Sequence, residues 1–189
     1  MALTTIDPTP ALVVIDLQKG IVSARTDSPV TAAVKQATDL ATEFRRHGLP
    51  VVLVNVTGRA PGRTEAGRRS GSSAALPPGW ADLIDELDVQ PTDQLITKRR
   101  RSAFHDTGLD TLLRDLGATQ VVLAGISTSS GVESTARSAS DYGYHVVLAT
   151  DAMADPDADA HRHSVERVFP KLGETATAAE ITVMLETTR

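Results

Sequence analysis

Asp16 stands at the end of the apolar run ALVVI and is followed by Leu17. A carboxylate so placed is partly desolvated, which raises its pKa and suits it to proton transfer. The competing reading is an aspartate that caps a helix or anchors a loop. Lys98 follows the short strand-like stretch Gln94–Thr97 and opens the basic stretch Lys98-Arg99-Arg100-Arg101. It could pair with Asp16 or bind a substrate oxygen; the stretch as a whole also reads as a solvated face. A paired Lys98 would hold Asp16 ionised, which suits a base and handicaps an acid unless burial offsets it.

The third chemical element is the stretch TQVVLAGISTSSGVESTAR, Thr119 to Arg137. A buried strand ends at Gly125, a polar turn follows, and a helical pattern starts near Val132. Ser130 and Glu133 have the spacing of a capping box. Free N–H groups at such a helix start favour a carboxylate, a phosphate or a developing oxyanion. Many strand–turn–helix joints in α/β proteins carry no site, so the local pattern alone leaves both readings open. Ser127, Ser129 and Ser130 offer hydroxyls, yet a lone carboxylate is a poor base for a serine nucleophile. His105, His161 and His163 fit surface or packing positions better than catalytic ones.

These groups need elements to hold them. Strands are expected at Ala11–Ile15, Val51–Val56, Gln94–Thr97, Val121–Ala124, Tyr144–Thr150 and Glu174–Ala178. Helices are expected at Val30–His47, Trp80–Leu87, Leu109–Leu116, Val132–Tyr142, Pro156–Val168 and Ala179–Glu186. The alternation predicts an α/β fold with a mainly parallel sheet. Ligands of such sheets sit beyond the carboxyl ends of the strands, where Asp16, Lys98, the Gly125–Gly131 turn and Asp151 fall. Asp151 reads as a cap and loop anchor. Thr57–Pro78 is a long Gly-, Ser- and Pro-rich connection with Arg59, Arg63, Arg68 and Arg69. Its arginines either reach an anionic substrate or belong to a solvated insertion.

The 189 residues predict one domain over 1–189. A net charge of −5 argues against a nucleic-acid partner. No signal peptide and no apolar window of membrane-spanning length is visible, so a cytoplasmic protein without membrane contact is expected. The absence of cysteine removes disulfides, thiolate metal sites and thiol nucleophiles together.

Taken in order, VVIDLQ, TKRRRSAFHDTGLDTLLRDLG, VVLAGISTSSGVESTARSASDYGYHVVLATDAMAD and VFP resemble the isochorismatase-like hydrolase superfamily, often called cysteine hydrolases. The resemblance spans nearly the whole chain. It implies a three-layer α-β-α fold around a six-stranded sheet of order 3-2-1-4-5-6. Asp16 and the Gly125–Gly131 turn would then face each other across the crevice, with a cis peptide near Ser127–Thr128. It also implies a homodimer or larger homo-oligomer, acting on a small-molecule substrate. Most members are amidases with an Asp–Lys–Cys triad. Asp16 and Lys98 match the first two, and Gly131 stands at the cysteine position. Thiol acyl transfer is thereby excluded. The Asp-x-His metal pattern is missing from NVTGRAPGR, so no metal and no cofactor is expected. True isochorismatases also have a small residue at this position. They hydrolyse a vinyl ether, the matched aspartate protonating the vinyl carbon before water adds. The turn ISTSSGV keeps the threonine of the amidase type and is closest to bacterial members of undefined substrate. Substrate-binding candidates are Arg59, Phe104, Ser127, Thr128 and Ser130. The expectation is a hydrolase of a small anionic metabolite. Amide or ester hydrolysis by serine or water, and a non-catalytic binding relative, are the alternatives.

Overall fold

The structure is a computed structural model that describes residues 3–24, 28–58, 62–65 and 76–188. Its centre is β1 (Pro10–Ile15), whose six residues are all buried. Alternate side chains serve opposite faces: Leu12 and Val14 enter one apolar cluster, Ala11, Val13 and Ile15 the other. That is why the strand reads as one unbroken apolar run and not as an alternation.

Around it the sheet is β3-β2-β1-β4-β5-β6, as expected. The strands are β2 (Val51–Val56), β3 (Gln94–Lys98), β4 (Gln120–Ile126), β5 (His145–Ala154) and β6 (Glu174–Ala176). All five pairings are parallel. The short α1 (Lys19–Val22) follows β1, and α2 (Ser28–Arg46) covers one face together with α6 (Ala178–Thr187). The other face carries α3 (Leu109–Asp115), α4 (Glu133–Asp141) and the segment with Phe169. Between β5 and β6, α5 (Ala158–His163) is capped by Asp157, which accepts from the backbone N–H groups of Asp159 and Ala160.

Several expectations need correction. Trp80–Leu87 is not a helix: only Asp85–Leu87 forms a 3-10 turn. The chain there is held by strand-like bonds instead, with Ile84 N–H donating to the Leu17 carbonyl and Lys19 N–H to Asp82. The Pro156–Val168 helix is α5 followed by a π-helical turn, Ser164–Val168. The sixth strand ends at Ala176, because Thr177 leaves the sheet to form a capping box with Glu180 at the start of α6. Ser130 and Glu133 form no capping box. The chain enters α4 through a π-helical turn, Thr128–Val132. Glu133 spends its carboxylate on Arg137 and the Ser164 hydroxyl.

Two neighbours of the site depend on glycine. Gly125 sits at φ +115°, and a Cβ there would lie 2.0 Å from the Ile15 carbonyl oxygen. The close approach of β1 and β4 thus requires glycine at this place. A Cβ at Gly20 would fall within 2.0–2.2 Å of the Trp80 indole.

Candidate active site

The order of the sheet reverses between β1 and β4, and the crevice opens beyond their carboxyl ends. Asp16 is the first residue past β1. Its backbone takes φ +54°, an uncommon conformation for a residue with a side chain. Asp16 N–H donates to Val54 O, and Gln18 N–H donates back to Asp16 O, so neighbouring backbone fixes this turn.

Lys98 ends β3, two strands away. Its Nζ passes the end of β2 and donates to Asp16 Oδ2 at 2.7 Å and to the Arg101 carbonyl at 2.9 Å. Both groups are buried, Asp16 at 5% exposure and Lys98 at 2%. Asp16 Oδ1 is buried and has no hydrogen-bond partner among the described residues. Burial pushes the Asp16 carboxyl up to about 6, and the adjacent Lys98 ammonium opposes the shift only in part.

The third side is the turn after β4, reached through a cis peptide at Ile126–Ser127, one bond earlier than expected. Ser127, Ser130 and Gly131 line the cleft with Asp16 and Lys98. A Cβ built on Gly131 would lie 3.2 Å from Asp16 Oδ2 and 3.4 Å from Lys98 Nζ. A side chain at 131 would therefore sit directly on the pair. No serine of the turn donates to the free Asp16 oxygen, since that atom has no partner.

Two expected binding residues lie elsewhere. Thr128 is fully buried, with Oγ1 at 2.8 Å from His161 Nδ1 on α5, and does not line the cleft. Phe104 stacks on Tyr142 at 5.2 Å between centroids, within the second apolar cluster. Arg59, Arg68 and Arg69 lie outside the described residues. Two arginines that sequence reasoning assigned to a solvated run, Arg100 and Arg101, line the cleft. Asp151 accepts from Ala178 N–H at 2.7 Å, at the start of α6.

Gln18 was missed. It is fully buried, its Oε1 accepts from Val56 N–H at 2.8 Å, and its Nε2 donates to the carbonyls of Val56 and Trp80 at 3.1 and 3.2 Å. It ties the end of β2 and the Trp80 segment to the residues just after Asp16. An amide two positions past a strand-end acid was the only available signal.

The cleft holds about 290 Å³. A groove of about 480 Å³ beside α1 and α2 is larger, but its ionic groups are the exposed Lys19–Asp85 pair and Glu86. Chemistry needs a desolvated titratable group, so the smaller cleft is the candidate. Among the described residues no cluster of three or more His, Asp or Glu side chains could hold a metal ion.

The sheet is parallel, and the buried acid–lysine pair lies at its switch point, beyond the strand ends, where ligands of α/β sheets are expected. The model of the isochorismatase domain matches residues 10–180. The uncharacterized isochorismatase family protein YwoC of Bacillus subtilis is 39% identical over 176 residues, covering 90% of each chain. Maleamate amidohydrolase of Pseudomonas putida is 30% identical over 176 residues, covering 89% of this chain and 83% of that one. The structure of an isochorismatase family protein from Burkholderia thailandensis matches with a TM-score of 0.89 at 39% identity, over 96% of this chain and 98% of that one. The chain belongs to the isochorismatase family. It is a hydrolase of that family, and it contains no cysteine.

Proposed function

We propose that the protein hydrolyses a small anionic metabolite without a covalent acyl-enzyme, with Asp16 moving the proton. The observation that carries this reading is the buried Asp16 carboxyl, raised to about 6, with Oδ1 unpartnered among the described residues and Oδ2 3.2 Å from where a Cβ of residue 131 would stand. Gly131 is read as standing where the family's thiol stands. A water there takes the place of the missing nucleophile.

The favoured reaction is hydrolysis of a vinyl ether of the isochorismate type. Protonated Asp16 gives its proton to the terminal vinyl carbon, using the vinyl π pair for the new C–H bond. The positive charge left on the neighbouring carbon is shared with the ether oxygen. Water adds to that carbon and returns a proton to Asp16. The hemiketal then breaks its C–O bond, releasing an alcohol and a ketone; for isochorismate the ketone is pyruvate. With a carboxyl near 6, roughly a tenth of the molecules carry the proton at pH 7, enough for turnover. Lys98, Arg100 and Arg101 supply positive charge for substrate carboxylates, which in turn favour the protonated acid.

A second reading is favoured by the likeness to maleamate amidohydrolase. There ionised Asp16 acts as base, taking a proton from a water that attacks an amide carbonyl. Carried over from the family resemblance, the proposal also makes the protein a cytoplasmic homo-oligomer, which light scattering on the purified chain checks for the assembly.

The test is incubation with isochorismate, following pyruvate, beside Asp16→Asn. Pyruvate from the wild type and none from the variant is the expected result. Pyruvate from neither removes the vinyl-ether reading and directs the assay to maleamate and ammonia release.

A further inference from the structure

One buried hydroxyl outside the Asp16–Lys98 pair bonds both to Gly131 in the cleft and to the segment that follows Lys98. Thr135 lies on α4 and is fully buried. Its Oγ1 donates to the Gly131 carbonyl at 2.7 Å and accepts from the Ala103 N–H at 3.0 Å. The first bond alone is ordinary, since helical threonines often return their hydroxyl to the carbonyl four residues earlier. The second is not local. It reaches the segment after β3, whose Arg101 carbonyl accepts from Lys98 Nζ at 2.9 Å. One helical turn further along, Ser138 Oγ meets Ser102 Oγ at 2.8 Å, and Ser102 Oγ accepts from Phe104 N–H at 3.2 Å. Three hydroxyls thus seam α4 to residues 102–104.

We propose that Thr135 is a positioning residue of this site: its hydroxyl sets the separation between the wall carrying Lys98 and the turn carrying Gly131. The proposal rests on the reading of Asp16 and Lys98 as the reacting pair. The Lys98 ammonium has two acceptors, one on the end of β1 and one on its own loop. It bridges them only while residues 101–103 keep their place. The Ala103 N–H is held by Thr135, and without the hydroxyl that buried donor loses this acceptor, which is unfavourable for a desolvated amide. The segment then moves to satisfy it, and Lys98 follows the Arg101 carbonyl away from Asp16 Oδ2. Among the described residues, Arg100 and Arg101 are the other charged side chains lining the cleft. Both belong to the same segment and shift with it. Asp16 loses the cation that opposes the effect of burial, and its carboxyl titrates higher.

The test uses no substrate. The side-chain carboxyl of Asp16 is titrated by 13C NMR, its signal assigned by loss in Asp16→Asn. In Thr135→Val the midpoint is expected to rise by about one pH unit, the effect of a departing counter-charge. Thr135→Ser, which restores the hydroxyl, returns it to the wild-type position. A folded Thr135→Val with the wild-type midpoint overturns the proposal, even if its melting temperature has dropped, because a merely structural threonine predicts that pattern. If Thr135→Val does not fold, Thr135→Ala carries the same measurement, since it also loses both bonds and puts no methyl against the Ala103 amide. A negative pyruvate assay leaves this titration untouched, so the two readings fail separately.

Discussion

At the scale of the residue, Asp16 is a carboxylate under two opposed forces. Burial favours the neutral acid, and the ammonium 2.7 Å away favours the anion. Burial wins, leaving the midpoint at about 6, between the values that suit a strong base and a strong acid. The sign of the pH dependence therefore distinguishes the two reactions. If Asp16 donates a proton to a vinyl carbon, kcat/KM falls about tenfold per unit as pH rises above about 6. If it accepts a proton from attacking water, kcat/KM falls as pH drops below the same midpoint. A profile of kcat/KM between pH 4 and 9 reads this directly, and a limb on the alkaline side is expected. The sequence offered this residue as a candidate because an acid ends an apolar strand there; its burial and its pairing with Lys98 came from the structure and separate it from a cap or loop anchor. Lys98 was legible as a candidate, but not Arg100 and Arg101, since the side-chain direction of a loop cannot be read from composition.

At the scale of the element, the site depends on how closely β1 and β4 approach. Gly125 lies against the backbone of Ile15, the residue before Asp16. Backbone cannot retreat as a flexible side chain can, so Gly125→Ala forces the two central strands apart. A loss of about 3 kcal/mol or more is expected in urea unfolding. Gly143→Ala has nothing within 4 Å of its added Cβ and bears only the strain of φ +86°, so it costs less. The strands themselves were readable as apolar runs. The turns were not: the Ser130–Glu133 spacing mimicked a capping box, while Glu133 was drawn to Arg137 and Ser164. Ser164 lies 31 residues away in sequence, beyond the reach of a local pattern.

At the scale of the molecule, the buried acid makes global stability depend on pH. The folded-state midpoint of about 6 lies above the ordinary 3.8 of the unfolded chain. Below about 4 both states hold the proton and Asp16 imposes no penalty. Between about 4 and 6 the unfolded state releases it first, so stability falls as pH rises, by an amount on the order of 3 kcal/mol. Above about 6 that penalty is complete. Urea unfolding at pH 4 to 7 should show this contribution as the difference in slope between wild type and Asp16→Asn, the variant having lost it.

What the sequence by itself determined is the succession of six strands, most of the helices between them, the buried character of the central strands, and the absence of a thiol. Apolar runs, glycine stops and composition are local properties, and they survive without knowledge of neighbours. The strand order 3-2-1-4-5-6 came from family resemblance and agrees with the sheet observed. Only the tertiary structure decided that Lys98 crosses the end of β2 to reach Asp16, that Phe104 and Thr128 pack outside the cleft, that Gln18 bonds to the end of β2, and that Thr135 bonds to Ala103. Each of those outcomes is a contact between residues tens of positions apart. They arise because buried polar groups must find partners wherever packing brings one within about 3 Å.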